Sequence, residues 1–374
     1  MSRSPQFTFT ARLMRVAAVS CFTALLAFSA STSGLLTGKP QLKSAGPLAF
    51  GPDGILFIGD SLGAAVVALD TRDNKPAAAL PVKVDIKGID RKVAAVLGTT
   101  PEQILIHDVK VNPISKNIYL SVSRGRGPQA IPVILRADAA GNMKEVPLDN
   151  VSFAAVMLPN PPVTNPGDPR DARLDTITQL AFVNGSVIVA GLSNEEFSSN
   201  LRSIPFPFQS AGKGTSVEIY HGSHGRFETQ APVRTFVPYT IQNQQYLVAA
   251  YTCTPLVKIP VSELKPGSKL EGTTIAELGA GNRPLDMIAY RKNKHEFILM
   301  ANSNRGVMKL STDHLENYKP IRAPSEPAGV PYETLAGLAN VRHLTSLDEA
   351  NALVLIDSGS SAAGSMDLRS IPLP

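Results

Sequence analysis

The 374-residue chain carries 36 Lys+Arg against 31 Asp+Glu, with 43% hydrophobic and 18% charged residues, a globular rather than a disordered mixture. Most of its formal charge of +5 belongs to the N-terminus: residues 1–31 hold Arg3, Arg12 and Arg15 and no acid, so 36 falls to 33 against 31 and +2 remains. That balance removes the electrostatic footprint of a nucleic-acid binder, and a single cysteine beyond the N-terminal segment, Cys253, excludes a disulfide framework and CxxC or CxxCH chemistry.

Residues 1–31 read as a signal peptide, with three arginines, an apolar run from Val16 to Phe28, and small residues from Ser29 to Ser31 for cleavage. The run is shorter than the about 20 residues a membrane-spanning helix needs. The expected mature chain is therefore secreted or periplasmic, with no stable membrane span. Residues 32–46 are a linker or a closing edge strand, and residues 47–374 form one domain.

From there, short apolar runs alternate with Gly, Pro, Asn and Asp turns. Pro47 to Phe50, Ile55 to Ile58 and Ala64 to Asp70 read as strands, with Val82 to Ile86 as a fourth. Asp90 caps a helix through Leu97, and Thr100 to Gln103 gives a second helical turn. Ile104 to Val111, Ile118 to Val122, Val133 to Ala137 and Met143 to Leu148 make the next unit. After five prolines between residues 159 and 169, Thr176 to Val183 and Val187 to Ala190 open a third unit. Its next strand is expected only at Ser216 to Tyr220, beyond an excursion from Gly191 to Gly214 that reads as a lid or as disordered chain. Within it, Glu195 to Arg202 reads as a short helix, and Ile204 to Phe208 as an apolar segment on the site-bearing face.

The fourth unit runs through Thr235 to Ile241, Tyr246 to Tyr251, Leu256 to Ile259 and Thr273 to Leu278. A fifth follows at Leu285 to Tyr290 and the hairpin Phe297 to Leu310. The sixth comprises Val341 to Leu344, Ala352 to Ile356 and Met366 to Ile371. Aligned on their second and third strands, these units begin ILFIGDSLGAAVVALD (Ile55), IYLSVSRGRG (Ile118), YLVAAYTCTPLVKIPV (Tyr246), FILMANSNRGVMKL (Phe297) and ALVLIDSGSS (Ala352). A repeat of about 50–70 residues suits blades. The expectation is an all-β fold, a six-bladed β-propeller with short helical insertions, or seven blades if residues 80–105 or 150–175 hide another. On this strand grammar the chain resembles the broad class of six-bladed propellers that includes NHL-repeat proteins and the SMP-30/gluconolactonase group. The resemblance implies a ring closed by an N-terminal strand near Leu42.

Gly59-Asp60-Ser61-Leu62-Gly63 looks like the first block of GDSL esterases, but the repeat makes it the same hairpin turn as Asn302-Ser303, followed by a strand rather than the helix of a nucleophile elbow. The repeat gives a stronger argument. Turns between second and third strands share a face with the starts of the first strands. That face gathers Asp60, Arg124, Glu195, Glu196, Cys253, Asn302 and Asn304 from turns, and His107, Asp108 and Asp286 from strand starts. Such a rim suits recognition of a small molecule or a protein, and the expected function is a binding or scaffold module. The alternative, implied by the resemblance, is a Ca²⁺-dependent hydrolase of the lactonase or esterase type, with Asp60, Glu195, Asp286 and Asn302 as oxygen ligands. His221 and His224 have metal-ligand spacing too, but following an expected third strand they fall on the opposite face.

Overall fold

Runs that are apolar at every position imply burial on both faces, and Ile55–Asp60 is buried at all six residues. The computed structural model describes residues 1, 34–78, 83–168, 170–253, 255–325, 327–359 and 365–374. Residues 2–33, which hold nearly all of the expected signal peptide, lie outside them. Among the described residues no helix is long and apolar enough to cross a membrane.

Among the described residues the strands form five sheets in a β-rich, propeller-like arrangement that divides into six units built on four strands each, two of which, III and IV below, join in one sheet through a parallel pairing of Ser216 to Ile219 with Lys269 to Gly272. Unit I contains Leu48–Phe50, Ile55–Asp60, Ala65–Asp70 and Val151–Met157, with Leu36–Gly38 on its outer edge. Unit II is Ile104–Val111, Ile118–Arg124, Ile131–Ala137 and Met143–Glu145, and unit III is Gln179–Val183, Ser186–Leu192, Ser199–Pro205 and Thr215–His221. Unit IV is Thr235–Ile241, Gln244–Ala250, Pro255–Pro260 and Lys269–Glu277. Unit V is Pro284–Lys292, His295–Asn302, Gly306–Ser311 and Tyr332–Thr334. Unit VI is Val341–Ser346, Asn351–Asp357 and Met366–Pro372, completed by Asp85–Ile86.

The first strands touch one another in a closed circle, in the order I, III, IV, V, VI, II and back to I. The apolar core is divided accordingly. Six clusters each draw on two neighbouring units; Phe57 of unit I packs with Val187 and Val189 of unit III, and Tyr119 of unit II with Leu56 and Ile58 of unit I. Each such fully buried side chain contributes about 1.5–3 kcal/mol. Tight hairpins join the strands. At Gly306 the backbone takes a φ of 63°, and a Cβ there would stand 2.9 Å from the Leu338 carbonyl oxygen, so glycine is required.

The units appear where the sequence puts them, but three connections differ. Asp85–Ile86 is not the fourth strand of unit I; it pairs with Leu368 and Arg369 at the edge of unit VI. The ring is thus closed by this strand, not by residues near Leu42. Unit I instead takes its fourth strand from Val151–Met157, after the chain has left to build unit II. Finally, residues 199–205 are a full strand, with neither helix nor lid, paired from Leu192↔Ser199 to Ser186↔Pro205. The apolar segment after it turns inward at the opposite face, where Phe206 and Phe208 pack on Phe57 with centroids 5.1 and 5.9 Å away. The short helix is present as Ile89–Val96, but its N-cap is Gly88, and Asp90 lies buried inside it.

Candidate functional site

The face bearing the second-to-third-strand turns, called the upper face below, also carries the starts of the first strands and the ends of the fourth. At the centre of the ring, three first strands of neighbouring units each slip by one residue, between Ile106 and Asp108, Pro284 and Asp286, and Val341 and His343. Such bulges re-aim side chains, and here the residue after each slip joins one buried cluster. Asp108 Oδ1 accepts from Lys110 Nζ at 3.0 Å, and Asp286 Oδ1 lies 3.4 Å from the same nitrogen. Asp286 Oδ2 bonds His343 Nδ1 at 3.0 Å and accepts from Leu344 N at 3.1 Å. Asp108 Oδ2 accepts from Leu48 N of unit I at 2.8 Å.

The electrostatics follow from burial against pairing. Burial opposes the Asp286 carboxylate, but Lys110 and His343 outweigh it and hold its pKa below the ordinary value. Burial pushes Asp108 up, with Lys110 pulling against it. Lys110 and His343 are raised despite burial, because the two carboxylates face them. His107, the bulged residue, is lowered to about 4 by burial and by the charges of His343 and Arg126; its Nε2 lies 2.7 Å from Ser123 Oγ. Asp108, Asp286 and His343 offer ligand atoms within 4.8 Å of one another. An ammonium group already stands between these carboxylates, so the cluster contains its own cation.

Around this centre the expected rim residues each engage a local partner of their own. Asp60 accepts from Lys43 N, Ser44 N and Gly63 N, each at 2.8 Å, and from Ser44 Oγ at 2.7 Å. Ser61 Oγ bridges to Ile177, donating to its carbonyl at 3.1 Å and accepting from its N–H at 3.2 Å, which fits a turn linking units I and III and leaves no nucleophile. Asn302 Oδ1 accepts from Asn282 Nδ2 at 2.9 Å, and Asn304 Nδ2 donates to Gly281 O at 2.7 Å. Glu195 accepts from Asn160 Nδ2 at 3.0 Å, while Glu196 pairs with Lys269 at 2.8 Å on the surface. Arg124 is half-buried at the end of its strand. Asp108 and Asp286 therefore meet, with His107 beside them, whereas Asp60, Glu195, Asp286 and Asn302 hold separate partners.

A second cluster lies on the upper face between units III and IV. Because Thr215–His221 is a fourth strand, its end comes up beside the turn after Gln244–Ala250, on the same side as Cys253 and not opposite it. His221, His224 and Cys253 present ligand atoms within 4.8 Å of one another. Glu228, returning on the short strand Arg226–Glu228, meets both imidazoles. Burial works against its carboxylate, but bonds from His221, His224 and Arg226 bring it to about 2. Lys110, His343 and Glu228 were not singled out from the sequence. The first two were legible: Lys110 is two residues from Asp108 on the same strand face, and Val341-Arg-His-Leu344 repeats the pattern of Ile106-His-Asp-Val109.

No protein-family model matches the sequence, and no curated protein matches it. Among solved structures, an oxidoreductase proposed to be a glucose dehydrogenase from Thermus thermophilus is 13% identical with a TM-score of 0.39, covering 90% of this chain and 100% of that one. A PQQ-bound aldose sugar dehydrogenase from Streptomyces coelicolor is 10% identical with a TM-score of 0.34, covering 90% and 96%. Drosophila plexin A, solved with semaphorin 1b, is 10% identical with a TM-score of 0.37, covering 91% and 87%. Likenesses this distant bear on no activity.

Proposed function

We propose that the chain is an exported, single-domain six-bladed β-propeller that works as a binding module, engaging the apolar surface of a protein partner through its upper face. The observation that supports this reading is where exposed apolar side chains fall. Leu105 and Ile131 begin strands of unit II, Met157 ends unit I, and Val163 and Leu174 flank the connection into unit III; all five are exposed. Arg173 fixes that connection to the upper turn of unit I by donating to Ser61 O and Leu62 O, both at 3.1 Å. Leu36, Val96 and Phe227 are exposed as well, but these five fall at the upper ends of their strands and connections, and exposed apolar groups that join in one patch mark an interaction surface. What favours this reading over a Ca²⁺-dependent hydrolase is that Asp60, Glu195, Asp286 and Asn302 hold separate partners and that Lys110 faces the central carboxylates.

Site-specific photo-crosslinking in the producing cells tests this. Crosslinkers at Leu105, Met157 and Leu174 are expected to trap a discrete adduct, whereas Asn184 and Asn293, in turns of the opposite face, trap none. Equal yields from both faces, or no adduct from any position, overturn the proposal. Calorimetric titration with Ca²⁺ is expected to show no heat of binding at millimolar metal.

A further inference from the structure

The cluster between units III and IV goes beyond that reading and stands independently of it. Unit III ends at His221, turns through the 3-10 segment Gly222–His224 and comes back along Arg226–Glu228, with His221 paired to Arg226. The return places one carboxylate beneath two imidazoles. Glu228 Oε2 lies 2.8 Å from His221 Nδ1, and Glu228 Oε1 lies 2.7 Å from His224 Nδ1. The two rings sit close together, 3.9 Å between centroids, with their planes tilted by 39°. An ionised carboxylate can only accept, so each Nδ1 carries the proton, and in the neutral imidazole the lone pair is on Nε2. His221 is 3% exposed, and its Nε2 is buried with no hydrogen-bond partner. Cys253 stands on the neighbouring unit, its backbone N–H fixed to Asn282 O at 2.8 Å.

We propose that His221, His224 and Cys253 form a binding site for a Zn²⁺-class transition-metal ion, with Glu228 as the carboxylate that orients both histidines. Four features point the same way. Free Nε2 atoms on histidines whose Nδ1–H groups are bound to a carboxylate are the arrangement in which imidazole ligates metal. A buried lone pair with no donor is costly, and a cation satisfies it. Two imidazoles with a thiol, which binds as thiolate, select Zn²⁺ and its borderline-soft neighbours over Ca²⁺ or Mg²⁺. Three protein donors leave one position of a tetrahedron to water or an incoming ligand. The ligands come from two units, so the metal also joins units III and IV at the upper face.

The test uses the full mature chain, reduced and stripped with chelator. Zn²⁺ titrated against a chromophoric chelator is expected to bind at one ion per chain. Co²⁺ in its place is expected to give a thiolate-to-metal charge-transfer band and the visible bands of a tetrahedral centre. Cys253→Ser, in a surface turn, is expected to abolish the charge-transfer band and weaken Zn²⁺ binding by at least about tenfold. His224→Ala, also partly exposed, is expected to weaken it comparably. Glu228→Gln, which touches no metal, is expected to weaken it about 10–100-fold while the Co²⁺ band persists at saturation. Absence of stoichiometric Zn²⁺ binding by the folded wild type overturns the site. So does a Cys253→Ser chain that binds unchanged, or a Cys253 that reacts equally fast with a thiol reagent with and without Zn²⁺.

Discussion

Two clusters among the described residues bring histidine and carboxylate together with ligand-type atoms in close reach, and they contrast in how their charges are satisfied. At the ring centre, Lys110 and His343 face Asp108 and Asp286, and every carboxylate oxygen has a donor. Between units III and IV, one carboxylate serves two histidines and the exposed Arg226, and His221 Nε2 is left without a partner. The same residue types thus make an anchor where an ammonium stands between the carboxylates and a socket where a buried imidazole nitrogen has no partner. The first ties units I, II, V and VI together; the second offers a place for something the chain does not encode.

Breaking the anchor is expected to have the largest effect. Lys110→Met leaves two buried carboxylates without their cation and is expected to cost about 3–5 kcal/mol, read from the urea midpoint. A loss under about 1 kcal/mol shows that the centre does not hold the ring. Filling the socket comes next. Zn²⁺ at about 100 times its dissociation constant is expected to stabilise the wild type by about 2.7 kcal/mol, and the same concentration to stabilise Cys253→Ser by no more than about 1.4 kcal/mol.

The pH dependence sharpens the contrast further. His107 titrates near 6.5 when unfolded and near 4 when folded, so below 6.5 the unfolded chain binds the extra proton and stability falls until both states are protonated near 4. The expected loss is on the order of 3 kcal/mol across that window, absent in His107→Gln. His343, raised in the fold, has the opposite window: its stabilisation is complete below its unfolded value and is lost as pH rises through the folded one. Unfolding curves of wild type and His107→Gln that run parallel across the acid window remove His107 from the centre's charge balance. The smallest effect is expected on the rim, where Glu196→Ala breaks an exposed pair with Lys269 and changes stability by less than about 0.5 kcal/mol.

How much of this was legible follows the reach of local signals. Apolar runs and turn residues mark nearly every strand, and the shared hairpin grammar marks Asp60 and Asn302 as equivalent turn positions. Asp108 and Asp286 were placed together by position in the repeat. Ser199–Pro205 escaped because Asn194-Glu-Glu before it and Pro205 and Pro207 around its end read as loop, while its burial, nearly continuous from Ser199 to Arg202, has no alternation to betray a strand. That omission had a second effect. Strands reverse direction one by one, so a missing strand inverts the face assigned to everything after it in the unit, which is how His221 and His224 came to be separated from Cys253. The order of units around the ring has no local signature at all, since it depends on Asp85–Ile86 and Val151–Met157 pairing with distant edges.

Ring closure by Asp85–Ile86 governs how the chain can reach its fold. Val84 N donates to Ser370 Oγ across 286 residues, and Gly88 N to Asp367 Oδ1 across 279. Contacts of such separation form late, because the intervening chain must be organised before they stabilise anything. Until Met366–Pro372 has been synthesised, the early edge at residues 85–86 has no mate and the partial structure is an open arc. A chain ending before Met366 therefore loses more than one strand: it loses the step that turns a row of sheets into a circle.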